Sequence, residues 1–568
     1  MTKIKTALFG GLLVVLLSCQ TGCRQNANRT YGTLGDSAMV VSAHRIASQI
    51  GVAILKEGGN AIDAVVATQF ALAVVYPRAG NIGGGGFSVV RMANGDCHTL
   101  DFREKAPSLS SRDMFLDDSG NVIPDLSMLG HLAAGVPGSV AGMWELHQKF
   151  GSLPWAALLE PSISAAKDGF YITQHEADAL NEKQETFKVA NKYTPWVIKE
   201  SGWEQDDLVK QPDLARTLSL IRDLGRDGFY KGDVAEMITA EMKSGNGIIT
   251  AQDLESYEPI WRQPLIGSYK GHKIISMPPP SSGGVALVQL LKGAEQLDIT
   301  QFPHNSFEAV HLMAEVEKRV FADRAKFIGD PDFYVVPLEE ITSTKYNRSR
   351  FENIQIDRFT PSSEISNGDV ELIESNETTH FSVVDPMGNA VATTTTLNLN
   401  YGCKVWVKGA GFVLNNEMDD FSAKPGVPNY FGLVGAKANA IAPEKRMVSS
   451  MTPTIIEKDG QLKMVLGSPG GATIITSVFQ TAIDVIDYGM TMQEAVNAKK
   501  IHHQWLPDQI KIEENSIDES IIQQLKLLGH QFEFVDKIGR NDCILIWEDG
   551  TIEGGADHTR GDDFAAGF

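Results

Sequence analysis

Apolar positions recur along this chain with two different periods, and the switches between them mark out its elements. From Ser42 to Gly58 the spacing is helical and stops at Gly58-Gly59; Asn60 can then cap a second, apolar helix over Ala61–Val75. Strand patterns follow at Phe87–Met92 and Thr99–Arg103, while helical spacing dominates from Ser139 to about Lys243 and returns at Val285–Gln296 and His311–Phe327. From Arg348 to Asn376 the chain turns polar, with Pro361-Ser362-Ser363 and Asn367-Gly368, and reads as an exposed, mobile connector. There is no fixed-period repeat, so 568 residues of alternating helix and strand make several domains or one large layered α/β unit.

Two hairpins stand out in the last third. The stretch Glu377–Asn398 reads as two β-rich runs around Asp385-Pro386-Met387-Gly388-Asn389, and a turn centred on Met387 sets Thr378 opposite Thr396, hydroxyl facing hydroxyl. Alone, this is also what an ordinary Thr-rich strand pair looks like. Met451–Glu457 and Gln461–Gly467 flank Lys458-Asp459-Gly460, a register in which Ser449 faces Gly470 and Ser450 faces Pro469. A helix over Ala472–Tyr488 would put Gly470 and Gly471 at its N-terminus, where unblocked N–H groups can hold an oxyanion. A simple strand-to-helix turn has the same pattern.

Composition narrows the classes. With 43% apolar and 21% charged residues the chain is globular, and a formal net charge of −21 argues against non-specific nucleic-acid binding, which needs basic patches. The basic start Met1–Lys5 and the apolar run Ala7–Leu17 form a signal peptide too short to span a bilayer. Leu16-Leu17-Ser18-Cys19 resembles a bacterial lipobox, with Cys23 as a second candidate and a plain signal peptide as the alternative. Lipidation at Cys19 (or Cys23) would place the mature protein outside the cytoplasm, in the periplasm and anchored to the outer membrane by lipid.

The remaining cysteines, Cys97, Cys403 and Cys543, are odd in number and without a CxxC pair, so neither a disulfide framework nor a thiolate metal site is indicated. Nothing near Cys403 marks an activating base, and a packed thiol is the simpler reading. The run Gly80–Gly86 is no phosphate loop, because it leads into a strand and carries no Gly-Lys-Ser/Thr; close backbone packing explains it better. Arg103, at a strand end, is placed either to grip a carboxylate or to pair with Glu104.

Taken together and in order, Asn81–Phe87, Asp101-Phe102-Arg103-Glu104, Glu374–His380, Leu414–Phe421, Ser449-Ser450-Met451 and Gly467–Gly471 resemble the γ-glutamyltransferase family, a branch of the N-terminal-nucleophile hydrolases. The resemblance runs from about Ala38 to Phe568. It implies a four-layer αββα sandwich made as one inactive precursor. After a signal peptide (1–23) the precursor would self-cleave between Glu377 and Thr378 into a large subunit (24–377) and a small catalytic subunit (378–568).

The resemblance further implies that Thr378 is the nucleophile, with Thr396 as its hydroxyl partner and Gly470 and Gly471 as the oxyanion hole. Arg103, Ser449 and Ser450 would take the α-carboxylate of a γ-glutamyl substrate; Asn398, Glu417 and Asp420 would take its α-ammonium. Glutathione and other γ-glutamyl compounds are the implied donors, with water, amino acids or peptides as acceptors, and no cofactor or metal is required. His380 is expected to orient the site and not to react. Ser422–Phe431 resembles a lid in which Phe431 stands where bacterial members often have tyrosine, and Asp557-His558-Thr559-Arg560 departs from the family's Asp-Pro-Arg. A related acylase or poly-γ-glutamate hydrolase, or a lipoprotein that keeps the fold only for binding, are the competing readings; Arg103, Asp420 and Ser449-Ser450 argue against the first two, and the intact Thr378, Thr396 and Gly470-Gly471 set against the last.

Overall fold

Strand-rich segments from both ends and the middle of the chain combine into two seven-stranded sheets. The structure, a computed structural model, describes residues 29–365, 378–422, 424, 437–559 and 561–568. The signal peptide with Cys19 and Cys23, the end of the connector with Glu377, most of the lid with Phe431, and Arg560 lie outside the described residues.

In the first sheet the order is Phe564–Gly567, Met39–Ser42, Thr379–Val384, Ala390–Thr396, Gly85–Arg91, Cys97–Asp101 and Ile260–Arg262, antiparallel throughout. In the second it is Thr33–Gly35, Ile552–Ala556, Asp542–Ile546, Gln461–Leu466, Thr454–Lys458, His272–Ser276 and Leu265–Tyr269. Strand alternation sorts the side chains into layers. On the first sheet Phe381, Val383 and Val391 pack outward with the helices Arg45–Lys56 and Ala61–Val75. Val384, Ala390, Ala392, Phe87 and Val89 face inward, sharing a core with Ile455, Met464 and Ile544 of the second sheet. The second sheet's other side is covered by the helices Gly283–Gln296, Phe307–Phe327 and Thr473–Ile486. This is the αββα sandwich.

The helix Ala61–Val75 is capped as expected: Asn60 accepts from Ile62 and Asp63 N–H while Asp63 accepts from Asn60 N–H, a full capping box. Every residue of that helix is buried, which explains why its pattern is apolar with no polar face. The polar stretch read as a connector from Arg348 starts later than expected, because Thr344–Phe351 is helical, capped by Ser343 and anchored by buried Phe351. Among the described residues no helix is long and apolar enough to cross a membrane.

Candidate active site

The first hairpin has the expected register. Thr379 pairs with Thr395 and the ladder continues to Val384 opposite Ala390, so one further step brings Thr378 opposite Thr396. The same alternation puts Thr378 on the inter-sheet face with His380 and Ser382. Thr378 is 7% exposed and Thr396 2%.

Thr396 is held from several sides. Its Oγ1 accepts from Asn398 N–H at 2.7 Å, and its carbonyl accepts from Asn81 Nδ2 at 3.0 Å. Asn81 also holds Thr395 Oγ1 and Gly84 N–H, making it an organiser of this strand end; it stands inside the quoted glycine motif, but its role depended on neighbours far along the chain. The glycines allow that approach. A Cβ at Gly84 would lie 2.0 Å from the Thr396 carbonyl oxygen, and one at Gly86 2.3 Å from that of Thr394.

His380 is a buried structural group. Its Nδ1 hydrogen-bonds Thr394 Oγ1 at 2.9 Å, its Nε2 bonds Ser382 Oγ at 3.0 Å, and burial pushes its pKa down to about 3, so it stays neutral. Its ring packs on Gly467 of the second sheet so closely that a Cβ there would lie 2.1 Å from Cε1. That contact brings the segment after Gly467 up to the end of the first hairpin.

The second hairpin departs from the expected register. Lys458 pairs with Gln461 and Glu457 with Leu462, but a bulge then shifts the ladder so that Ile456 meets Met464 and Thr454 meets Leu466. The ladder stops there, so Ser449 and Ser450 do not face Gly470 and Pro469. Instead Ser449 lies beside Ser281 in a parallel bridge, and its carbonyl accepts from both the N–H and the Oγ of Ser282 at 2.7 Å. The positions Met451–Pro453, read as the start of the strand, belong to this irregular segment.

Gly470 and Gly471 both have positive φ, +134° and +56°, a conformation open to glycine. Their carbonyls turn into the helix that starts at Thr473, accepting from Thr473 and Ile474 N–H. No acceptor among the described residues meets either glycine's own N–H. A pair of unblocked donors at a helix N-terminus is the electrostatic arrangement an oxyanion needs.

The predicted head-group residues converge on one guanidinium. Arg103, 1% exposed, reaches Glu417 Oε2 from Nη1 at 2.6 Å and pairs with Asp420 Oδ2 through Nη2, with Glu104 Oε2 at 3.5 Å. Its Nε and Nη2 also donate to the carbonyls of Met447 and Val448, just before Ser449. Burial opposes the charged guanidinium, but Glu417, Asp420 and Glu104 outweigh it and hold Arg103 above its usual range. Three carboxyls cannot all be neutralised by one cation. Burial pushes Glu104 up to about 8 against the pull of Arg103, and burial likewise raises Glu417 and Asp420. The pocket therefore carries an excess of acid that a substrate ammonium can relieve.

Asn398, at φ +71°, turns the chain beside this pocket and donates from Nδ2 to the Asn416 carbonyl at 2.9 Å. Sequence reasoning missed Arg324, at the end of the helix Phe307–Phe327. Its Nη2 donates to Ser450 Oγ at 3.0 Å and its Nε to Ser282 Oγ at 2.8 Å. The only sequence signal was a basic residue near a helix end, which is usually solvated.

Burial pushes the thiols of Cys403 and Cys543 up to about 12 and raises that of Cys97, which disfavours the thiolate at all three.

Comparison with known proteins bears on the chain as a whole. The family model for gamma-glutamyltranspeptidase matches residues 47–567. The glutathione hydrolase proenzyme of Escherichia coli (strain K12) is 44% identical over 93% of this chain and 92% of its own length. The cephalosporin acylase from Bacillus halodurans superposes with a TM-score of 0.83 at 26% identity, covering 98% of this chain and 99% of that one. A chain of Helicobacter pylori gamma-glutamyltranspeptidase, 46% identical, superposes with a TM-score of 0.56 over 60% of this chain and 97% of its own.

Proposed function

The chain belongs to the gamma-glutamyltranspeptidase family, and from that premise we propose that it is a self-cleaving γ-glutamyltransferase and glutathione hydrolase with Thr378 as nucleophile. The observation that supports the reading is the strand end where Thr378 comes opposite Thr396, with His380 packed on Gly467 just ahead of Gly470-Gly471 and Glu417, the partner of Arg103, interacting with Thr396.

In the precursor the Thr378 hydroxyl attacks the Glu377 carbonyl carbon. The C–N bond breaks as the acyl group moves to Oγ, and water splits the resulting ester into two chains. Cleavage frees an α-amino group whose ordinary pKa is about 7.7–8.0, a base suited to near-neutral pH. That amine takes the Thr378 Oγ proton as Oγ attacks the γ-carbonyl of a γ-glutamyl amide. Gly470 and Gly471 N–H hold the oxyanion, and the proton passes to the departing amine as the C–N bond breaks. Water or an acceptor amine then attacks the γ-glutamyl ester; the C–Oγ bond breaks and Thr378 recovers its proton.

The substrate head is a zwitterion, and the pocket has groups for both signs. Its α-carboxylate meets Arg103 from the side of Ser449 and Ser450; its α-ammonium goes to Asn398, Glu417 and Asp420. The acidic surplus around Arg103 distinguishes this pocket from one built for a neutral acyl group, which supports a γ-glutamyl donor over the substrate of a related acylase. For the exported, lipid-anchored state the support is the leader sequence alone, and incorporation of labelled palmitate that survives Cys19→Ala and Cys23→Ala together would refute it.

The deciding experiment runs the wild type and Thr378→Ala on a denaturing gel and assays each with a chromogenic γ-glutamyl anilide. Two chains and turnover are expected for the wild type, one chain and none for the variant. A wild type that remains one chain, or a variant that still cleaves itself, would sink the assignment.

A further inference from the structure

Asn439 stands between two alanines at the end of the short turn Lys437–Asn439, and its side chain is buried. A buried amide has both donors and an acceptor to satisfy, so its partners fix which way it points. Here Nδ2 donates to the Asp420 carbonyl at 2.7 Å, and Oδ1 accepts from Val448 N–H at 3.1 Å. Turned over, the amide would set donor against donor and acceptor against acceptor.

The two partners belong to opposite walls of the pocket around Arg103. Asp420 ends the turn Glu417–Asp420, whose carboxyls pair with the guanidinium. Val448 directly precedes Ser449 and Ser450. Arg103 Nη2 closes the circuit, pairing with Asp420 Oδ2 and donating to the Val448 carbonyl at 3.2 Å. Arg103, Asp420, Asn439 and Val448 thus form a ring. One of its links between the walls is ionic, and the other is a neutral amide bound to main chain.

The amide is itself framed on several sides. Buried Lys445 donates from Nζ to the carbonyls of both its neighbours, Ala438 at 2.7 Å and Ala440 at 2.9 Å. The Asn439 carbonyl accepts from Ser422 N–H at 2.9 Å, two residues beyond Asp420. The Lys445 carbonyl in turn accepts from Ala106 N–H at 2.8 Å, which ties the frame to the segment that follows Arg103.

A γ-glutamyl head carries its ammonium and its carboxylate on one carbon, so their separation is set by covalent geometry. Both are satisfied together only where the two walls already stand at a matching distance, and a spacing set beforehand spares the cost of ordering it on binding. An incoming carboxylate competes with Asp420 for Arg103, and an incoming ammonium competes with Arg103 for Asp420, which loosens the ionic link. The amide link runs through a main-chain carbonyl and N–H and survives that exchange. Resting on the function proposed above, we infer that Asn439 is a positioning residue. It holds Asp420 and the segment Val448–Ser450 at the spacing of an α-amino acid, and so selects a head with both charges over one with a carboxylate alone.

The test measures competitive inhibition of γ-glutamyl anilide cleavage by L-glutamate, which has both charges, and by glutarate, which lacks the ammonium. The mature two-chain wild type should bind L-glutamate about tenfold more tightly than glutarate, the size of one charge-assisted hydrogen bond. In Asn439→Ala the Ki of L-glutamate should rise about tenfold and that of glutarate no more than about twofold. The anilide KM should rise with the former, with little change in kcat. Asn439→Asp keeps an acceptor for Val448 N–H but sets a carboxylate against the Asp420 carbonyl, and should lose the preference as fully; either variant carries the test alone. The ratio of the two Ki values is diagnostic, because a general disturbance of the site weakens both inhibitors together. An unchanged ratio, a rise of both Ki values in step, or failure of both variants to yield the two-chain protein would overturn the inference. So would a wild type without preference for L-glutamate. Absence of anilide cleavage by the wild type would instead count against the proposed function.

Discussion

Arg103 Nη1 lies 2.6 Å from Glu417 Oε2, with both side chains sealed from solvent and Asp420 on the same guanidinium. The residue expected to take a substrate carboxylate and those expected to take its ammonium are thus already one network. In the proposed function a substrate would insert both its charges into this existing pair, and each residue of the network also sets the charge state of the others.

Replacing Arg103 by Ala removes the only cation that Glu104, Glu417 and Asp420 share among the described residues. Truncating one partner of a buried charge pair costs about 2–5 kcal/mol, so KM for a γ-glutamyl anilide should rise on the order of a hundredfold. Self-cleavage, read on a denaturing gel, should persist, because the orphaned carboxyls can take up protons and Arg103 does not touch the Thr378–Thr396 strand end. Loss of cleavage would show instead that Arg103 shapes the fold.

Glu104 gives the protein a defined pH response. Its carboxyl is raised by burial from an ordinary 4.5 to about 8, and its Oε1 has no hydrogen-bond partner. In that window the folded chain keeps a proton that the unfolded chain has released. The stabilising contribution is therefore complete below the unfolded value and declines as pH rises toward about 8. Glu104→Gln cannot ionise, so its melting temperature should fall less between pH 5 and pH 8 than that of the wild type, to be read by thermal melts across that range. Parallel curves would mean that Glu104 ionises in the fold.

Arg324 should act through Ser450. Arg324→Gln loses the donors that bridge Ser450 Oγ and Ser282 Oγ, and KM for the γ-glutamyl donor should rise about tenfold with little change in kcat. Arg324→Lys keeps the charge but not the fork, and should recover only part of the affinity. A fall in kcat at unchanged KM would place the role of Arg324 elsewhere.

Local pattern and short-range geometry determined a large part of this protein. The capped helix Ala61–Val75 follows from Asn60 and an apolar run. The facing of Thr378 and Thr396 follows from a tight turn, which ties strand partners together over few residues and leaves little freedom in register. The glycines 83–86 were legible as close packing because their neighbours in sequence offer no phosphate chemistry. The second hairpin has an equally clear turn, yet one extra residue at its bulge was enough to move Ser449 and Ser450 away from Gly470 and Pro469. A bulge depends on what packs against the strand, in this case the paired strands on both sides, and leaves no local signature.

The same reason separates the recognised site residues from the missed ones. Thr378, Arg103 and Gly470-Gly471 announce themselves within short motifs. Asn81 and Arg324 matter only because the sheet order and the outer helices bring them to residues more than a hundred positions away. The sequence by itself determined the tight turn that brings Thr378 opposite Thr396 and the glycines that precede the helix at Thr473. Tertiary structure alone decided which charges gather around Arg103, because that depends on strand order and burial, which act between residues with no connection along the chain.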